Sequence, residues 1–343
     1  MLEIRDLKFD PPLLLAPMAG LTHSALRTLL CECGGVGLLY TEMLSARRLP
    51  VENPTVSPWL VRTGQENPLC YQLFITRPEE AGPALEALHR FGADGVDINL
   101  GCPAPRVRQA GGGSSLMAAP DRVRALVREV RRHTELVLSA KIRLGETLDE
   151  RGLRDFCLML AGEGIDYLTV HARLRGEQFC RKPRWEWIGR VKEWLDIPVI
   201  ANGGIFSVED ARACLELSGA DGLMIGRAAP QKPWLFAELA REIYGLDLPR
   251  PAMTLPAMYS HFATALLERF RPERRLGRLK EFTHYFALNY SFGHLLATSV
   301  QASTSFAEAI SRAEQFFRQN DPRGMEEMGE RLVSPELLSE AAD

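Results

Sequence analysis

Cysteine pairs at metal-binding or redox spacing are missing from this chain. Its seven cysteines (Cys31, Cys33, Cys70, Cys102, Cys157, Cys180 and Cys214) are odd in number, and no C-x-x-C occurs. That pattern points away from a disulfide framework and from a zinc site, and predicts free thiols in a reducing, cytoplasmic setting. Long apolar runs are also missing. Nothing approaches the roughly 20 apolar residues that span a bilayer, and the run Leu13–Leu15 near the N-terminus is too short for a secretory signal. Excess positive charge is missing too: the net charge is −3. A surface coated in basic residues is excluded, although a local patch can still carry phosphate contacts. No internal repeat is visible, which excludes a solenoid. Nothing points to DNA, a membrane or an obligate protein partner, and a monomer is the default expectation.

What is present is the pattern of a large α/β protein. Of 343 residues, 46% are hydrophobic and 25% charged, the balance of an ordinary globular chain. Eight short apolar runs recur: Leu13–Met18, Gly37–Met43, Pro68–Phe74, Gly95–Leu100, Leu136–Arg143, Tyr167–Arg173, Pro198–Gly204 and Asp221–Ala228. Continuously apolar centres suit strands buried on both faces. Helical patterns lie between them. Pro78–Phe91 and Pro120–His133 open on proline, and Ser207 caps a stretch to Leu217. The alternation predicts a (β/α)8 TIM barrel over residues 1–246. A proline-rich linker, 247–256, follows. After it strand signals stop. Met258, Phe262, Leu266 and Phe270 recur at steps of four, as do Leu279, Phe282, Phe286 and Tyr290. These predict a small all-α helical bundle over 257–320, then a polar tail over 321–343 that frays apart from a short helix near Met325–Leu332.

A barrel of this kind carries its chemistry at the C-terminal ends of its strands. There the runs change character: Pro17-Met18-Ala19, Glu42, Asn99-Leu100-Gly101-Cys102, Lys141 and Arg143, His171, Asn202-Gly203-Gly204, and Gly226-Arg227. Glycines at runs seven and eight let a ligand approach the backbone, and Arg227 adds a charge for a phosphate. The bland reading is that they only make tight turns. Lys141 stands inside an apolar strand, where an ammonium is costly unless a charge meets it. Its partner is either an anionic ligand edge or a structural carboxylate, Glu42 or Asp97. Cys102, between Gly101 and Pro103, falls on a loop, and Gly111–Gly113 permit a hinge. Cys31 and Cys33 read as helix-end residues, and His23, His89 and His133 as ordinary helical positions.

Taken together, APMAGLTHSALR (16–27), TEMLSA (41–46), YQLF (71–74), DINLGCPAPRVRQAGGGSSLM (97–117), AKIRLG (140–145), LTVHARLR (168–175), PVIANGG (198–204) and GADGLMIGRAAPQKPWLF (219–236) resemble the bacterial tRNA-dihydrouridine synthase family, nearest its B-type branch. The resemblance covers most of residues 13–236. It implies an FMN- and NADPH-dependent oxidoreductase that reduces the C5–C6 double bond of a D-loop uridine in tRNA, with hydride from flavin N5 to C6 and a proton from Cys102 to C5. A thiol, largely protonated at neutral pH, suits that acid role.

Carried over by motif, Pro17, Met18, Ala19, Gln72, Lys141, His171, Asn202, Gly203, Gly204, Gly226 and Arg227 would hold FMN. Asn99, Arg106, Arg143, Arg173, Arg175, Arg278 and Lys280 would meet RNA, with the helical region as a tRNA-binding domain. The stretch Arg269–Lys280 holds six basic residues, and Arg173, Arg175, Arg181, Lys182 and Arg184 form a second cluster. Three positions depart from the family: Arg106 stands for a common lysine, Gly204 for a common aspartate, and Glu281-Phe282 interrupts an Arg-x-x-x-Lys-His pattern. Two other readings are an FMN-dependent small-molecule ene-reductase or dihydroorotate-dehydrogenase-like enzyme, and an RNA-binding module without catalysis. The target uridine is not written in the sequence.

Overall fold

A computed structural model describes residues 1–250, 252–329 and 331–340. Pro251 of the linker, Glu330 and the last tail residues 341–343 lie outside the described residues. The strands, in chain order, are β1 (Leu2–Ile4), β2 (Leu7–Phe9), β3 (Leu13–Leu15), β4 (Leu39–Tyr40), β5 (Leu44–Ser45), β6 (Leu69–Phe74), β7 (Gly95–Asn99), β8 (Val137–Arg143), β9 (Tyr167–His171), β10 (Val199–Asn202) and β11 (Gly222–Ile225). β1 and β2 form an antiparallel hairpin. The rest pair in parallel in the order β3-β11-β10-β9-β8-β7-β6-β4, with β5 continuing β4 along β6. A bridge from Leu14 to Leu38 brings the ends together, so the eight-stranded barrel is nearly closed.

The two-residue period of a strand explains the interior. Cys70, Val137, Tyr167, Ile200 and Met224 point into the barrel with Tyr40 and Leu14, and Ile4 and Phe9 of the hairpin pack against the same cluster. One step toward the C-terminal ends, the inward positions turn polar. Gln72 sits beside Asp97, and Asp97 beside Ser139. One step further, Asn99 sits beside Lys141. At the mouth His171 lies between Arg143 and Asn202. The outward positions remain apolar and pack under the helices. A dry base thus supports a polar mouth.

The expected helices form, with one gap. Pro120–Arg132 buries Val123, Leu126, Val127 and Val130, while Arg128 and Arg131 on its other face bond Glu163 and Asp166. Ser207 Oγ accepts from the Asp210 amide at 3.2 Å and caps Val208–Ser218. Between β5 and β6, however, there is only the short turn Leu49–Val51. That connection is anchored by the buried Glu66, which accepts from Arg27 Nε at 2.6 Å and from Ser24 Oγ at 2.5 Å.

Beyond the linker, Leu255–Arg269, Arg275–Phe286, Gly293–Gln301 and Phe306–Asn320 are helical. They close on Tyr259, Phe262, Phe282, Phe286 and Phe317, with Phe262 and Phe282 stacked at 3.8 Å between centroids. The tail does not simply fray. Pro322–Met328 is a helix capped by Asp321, and Met325, Leu332 and Val333 are buried. Met328, Leu337 and Leu338 pack against the same core, and the Leu332 amide donates to Glu314 Oε1 at 2.8 Å. Leu255–Arg269 packs on the barrel helix Ser24–Cys33. There Arg269 Nη1 donates to Thr28 Oγ1 at 2.7 Å. His23 is held between Phe262 and Phe270 with neither ring nitrogen hydrogen-bonded, so it belongs to this junction and not to an exposed helix face.

Candidate active site

The barrel mouth opens into a cavity of about 280 Å³. Its wall carries Pro17, Met18 and Ala19 after β3, Asn99 at the end of β7 with Cys102 after it, and Lys141 and Arg143 of β8. It also carries His171 at the end of β9 and Arg173 after it, Asn202 at the end of β10 with Gly203 and Gly204 after it, and Gly226 and Arg227 after β11. Parallel strands end at one level, so residues scattered over some 200 positions of sequence converge. One expected wall residue is absent. Gln72 is buried below the cavity, donating to Asp97 Oδ2 and accepting from Asn99 Nδ2, both at 2.7 Å.

The cavity is unbalanced in charge. Lys141 Nζ donates to Asn202 Oδ1 at 2.7 Å, and Asn202 is fixed in turn by donating to the Met224 carbonyl at 2.7 Å. Among the described residues Lys141 forms no ion pair with Glu42, Asp97 or any other carboxylate. Burial, then the nearby Arg143, lowers its pKa to about 8. Arg143, Arg173 and Arg227 are each lowered too, first by burial. His171 is pushed well below its ordinary value by burial and then by these four cations. Its Nε2 accepts from Arg173 Nη1 at 3.1 Å, which fixes that nitrogen as unprotonated. Four cations without carboxylate partners around one cavity make a site for an anion.

The turn after β10 is shaped for close approach. Gly203 has φ +110°, and a Cβ there would lie 2.6 Å from His171 Cδ2. Trp185 Nε1 donates to the Gly203 carbonyl at 2.9 Å and holds the turn. The loop after β9 covers the cationic end. Arg173 binds the carbonyls of Phe179 and Arg181. Phe179 stacks on His171 at 6.0 Å and lies under the Arg227 guanidinium at 4.2 Å. Arg143 donates to the Leu174 carbonyl at 3.0 Å.

Cys102 is half-buried, and its backbone is held on both sides instead of swinging freely. Its amide donates to Asn99 Oδ1 at 3.0 Å, and its carbonyl accepts from the Ser114 amide at 3.0 Å. Gly113, at φ +59°, lets the returning chain pass the cysteine carbonyl, where a Cβ would sit 2.6 Å away. The helix Pro105–Gln109 follows and exposes Arg106.

The residues expected to meet RNA therefore divide. Asn99, Arg143 and Arg173 are buried and line the cavity. Arg175 pairs with Glu146 near the rim. Lys280 donates to the Ser303 carbonyl at 2.7 Å. Arg278 lies 4.0 Å from Glu42, over the ring of Phe270, and donates to the Arg274 carbonyl.

Sequence reasoning did not foresee Phe179, nor Glu281 and Tyr285, which reach the cavity wall from the helical region. An aromatic among the basic residues 173–184 was one available signal. The other was the spacing of four between Glu281 and Tyr285, on a helix whose Leu279, Phe282 and Phe286 face the bundle core.

Comparison with known proteins agrees with this geometry. The family model described as dihydrouridine synthase matches residues 14–309, the barrel and most of the helical region. The chain belongs to the dihydrouridine synthase family. A probable tRNA-dihydrouridine synthase 1 of Synechocystis sp. is 38% identical over 239 residues, 69% of this chain and 67% of the relative. The Escherichia coli tRNA-dihydrouridine synthase B is 37% identical over 227 residues, 66% and 70% of the two chains. A tRNA-dihydrouridine(16) synthase of Pseudomonas putida is 34% identical over 289 residues, 80% and 88%. As a dihydrouridine synthase family member, the chain carries its half-buried Cys102 and its cationic cavity within the matched span.

Proposed function

We propose that this protein is an FMN- and NADPH-dependent tRNA-dihydrouridine synthase that reduces the C5–C6 bond of a D-loop uridine. The observation that carries the reading is a group of four buried or partly buried cations, none ion-paired to a carboxylate among the described residues, beside a half-buried cysteine at the mouth of a dihydrouridine synthase family barrel. The residues present fit FMN. Arg227, His171 and the Gly203-Gly204 turn would hold a phosphate, and Lys141, fixed by Asn202, would meet an anionic ring edge. Pro17, Met18 and Ala19 would form the apolar side of the ring site. Gln72, below this wall, keeps a second amide N–H and a second oxygen lone pair beyond its bonds to Asp97 and Asn99.

When bound, FMN supplies the hydride chemistry that side chains lack, with NADPH as electron source. The chain's own residues do the rest. Cys102 holds a proton on its Sγ for uracil C5, with its backbone fixed by Asn99 and Ser114. The target base must leave any stack to enter a cavity of this size. Arg143 and Arg173 place positive charge along the entrance, Phe179 offers a ring face, and the exposed Arg106 stands where a neighbouring phosphate would pass.

The test is mass spectrometry of tRNA lacking dihydrouridine after incubation with protein, FMN and NADPH. The reading expects one D-loop uridine to gain two hydrogens, and names its position. A flavin-loaded protein that leaves tRNA unchanged but reduces a free enone or orotate-like substrate would replace it.

A further inference from the structure

Below the cavity, four polar side chains form an unbroken line from the barrel interior to the backbone of Cys102. Ser139 Oγ donates to Asp97 Oδ1 at 2.6 Å. Gln72 Nε2 donates to Asp97 Oδ2 at 2.7 Å. Asn99 Nδ2 donates to Gln72 Oε1 at 2.7 Å. Asn99 Oδ1 accepts from the amides of Cys102 at 3.0 Å and Gly101 at 3.3 Å. Asp97 and Gln72 are essentially inaccessible and Asn99 nearly so.

The direction of this line is fixed from both ends, since the Cys102 and Gly101 amides can only donate and an ionised Asp97 can only accept. A primary amide can point either way, and its two ends are nearly the same shape. An ionised carboxylate cannot: both its oxygens only accept. Asp97 therefore requires the nitrogen of Gln72, which turns the Gln72 oxygen toward Asn99. Asn99 must then present its nitrogen to Gln72 and its oxygen to the two loop amides. Were Gln72 reversed, Asn99 would reverse too and aim a donor at the Cys102 amide. Two donors would face each other at the loop.

We infer that Asp97 is a positioning residue for the reaction, anchoring the inner end of the Gln72–Asn99 relay and so the placement of the Cys102 backbone that carries the acid. The inference rests on the assignment of Cys102 as that acid. It gives Gln72 a role in the protein that is separate from any contact with the flavin.

The arrangement is sensitive to protonation of Asp97, whose pKa burial raises to about 6. A protonated carboxyl offers both a donor and an acceptor and loses the charge that strengthens its bond from Gln72, so the relay is then held firmly at its loop end alone. The groups facing it do not titrate in the same range. Tyr40, Tyr167 and Cys70 are held well above their ordinary values, chiefly by burial. Lys141 stands at about 8. His171, further up the barrel, is pushed well below its ordinary value.

Asp97→Asn is the informative variant, because it keeps the shape and imitates the protonated form. Holoenzyme turnover on tRNA is measured across mildly acidic to neutral pH, together with iodoacetamide labelling of Cys102, using the exposed Cys180 as internal reference. Wild type is expected to lose kcat as pH falls through the Asp97 range. Asp97→Asn is expected to show about tenfold lower kcat at neutral pH, an unchanged KM for tRNA, and no such acid limb. Its Cys102 labelling, relative to Cys180, shifts at least about threefold, the scale of a small change in placement. Asp97→Leu deepens the kcat loss if it folds, but the conclusion does not depend on it. An Asp97→Asn enzyme with wild-type kcat, the same acid limb and the same labelling ratio would overturn the inference. Failure of the underlying reading looks different: Cys102→Ala would keep its turnover, while the labelling shift in Asp97→Asn persisted.

Discussion

The barrel mouth and the segment Arg269–Lys280 hold the same kind of residue in opposite circumstances. At the mouth, Lys141, Arg143, Arg173 and Arg227 converge on one cavity and form no ion pair with a carboxylate among the described residues. In the helical segment, Arg269 bonds Ser24 and Thr28, Arg275 bonds the carbonyls of Leu267 and Phe270, Arg278 faces Glu42, and Lys280 bonds Ser303. Only Arg271 and Arg274 of that segment are fully on the surface. Density of positive charge in sequence therefore marks the second region, whereas unanswered positive charge in space marks the first. It is the second property that reports an anionic ligand, because a buried cation without a partner is unfavourable until something supplies the missing charge.

The sharpest way to separate the two regions is by what their loss does. Cys102→Ala should reduce dihydrouridine formation by about 10²- to 10⁴-fold, the scale of a lost general acid. Its flavin content should stay normal. Gly203→Ala should come next. Its Cβ would press on His171 and Arg173 from a positive φ, so the ratio of flavin to purified protein should fall at least about tenfold, with strain of roughly 1–3 kcal/mol. A variant that keeps its flavin would show that the turn is not a cofactor contact.

Charge at the mouth also predicts a pH dependence. Lys141 stands at about 8 in the ligand-free protein, and an anion beside it raises that value. Between the two values binding takes up a proton. FMN affinity should thus weaken as pH rises above 8, by at most about tenfold per pH unit. Fluorescence titration at pH 7 and 9 checks this, and a flat affinity would place the anion elsewhere.

The helical segment should answer differently. Arg278→Ala leaves the buried Glu42 without its cation and should destabilise by about 1–2 kcal/mol, read as a Tm lower by about 2–8 °C, with flavin retained. Arg271→Ala and Arg274→Ala should leave Tm unchanged. Each should instead lower the salt slope of tRNA binding by about 1. Equal effects from all three would erase the distinction between structural and surface arginines.

Much of the barrel was legible because strands buried on both faces leave continuous apolar runs, and because a lysine or a Gly-Gly at the end of such a run is out of character. The mouth residues followed, since parallel strands end together. Gln72 was placed on the right strand, but its bonds to Asp97 and Asn99 were not legible: period gives the face of a side chain, not which way its amide turns. The engagement of Arg269 was invisible, because its partners lie some 240 positions away and are hydroxyls, not acids. Phe179 and Tyr285 were missed for a related reason. They reach the cavity from a loop and from a second region, where no strand end predicts position.

The most direct test of the account compares flavin content in three purified proteins: wild type, Lys141→Met and Arg278→Ala. Bound flavin in wild type and Arg278→Ala, and little or none in Lys141→Met, is the predicted result. A wild type that takes up no FMN, or a Lys141→Met protein that holds it as wild type does, would contradict the claim that the unpaired cations of the barrel mouth form the cofactor site.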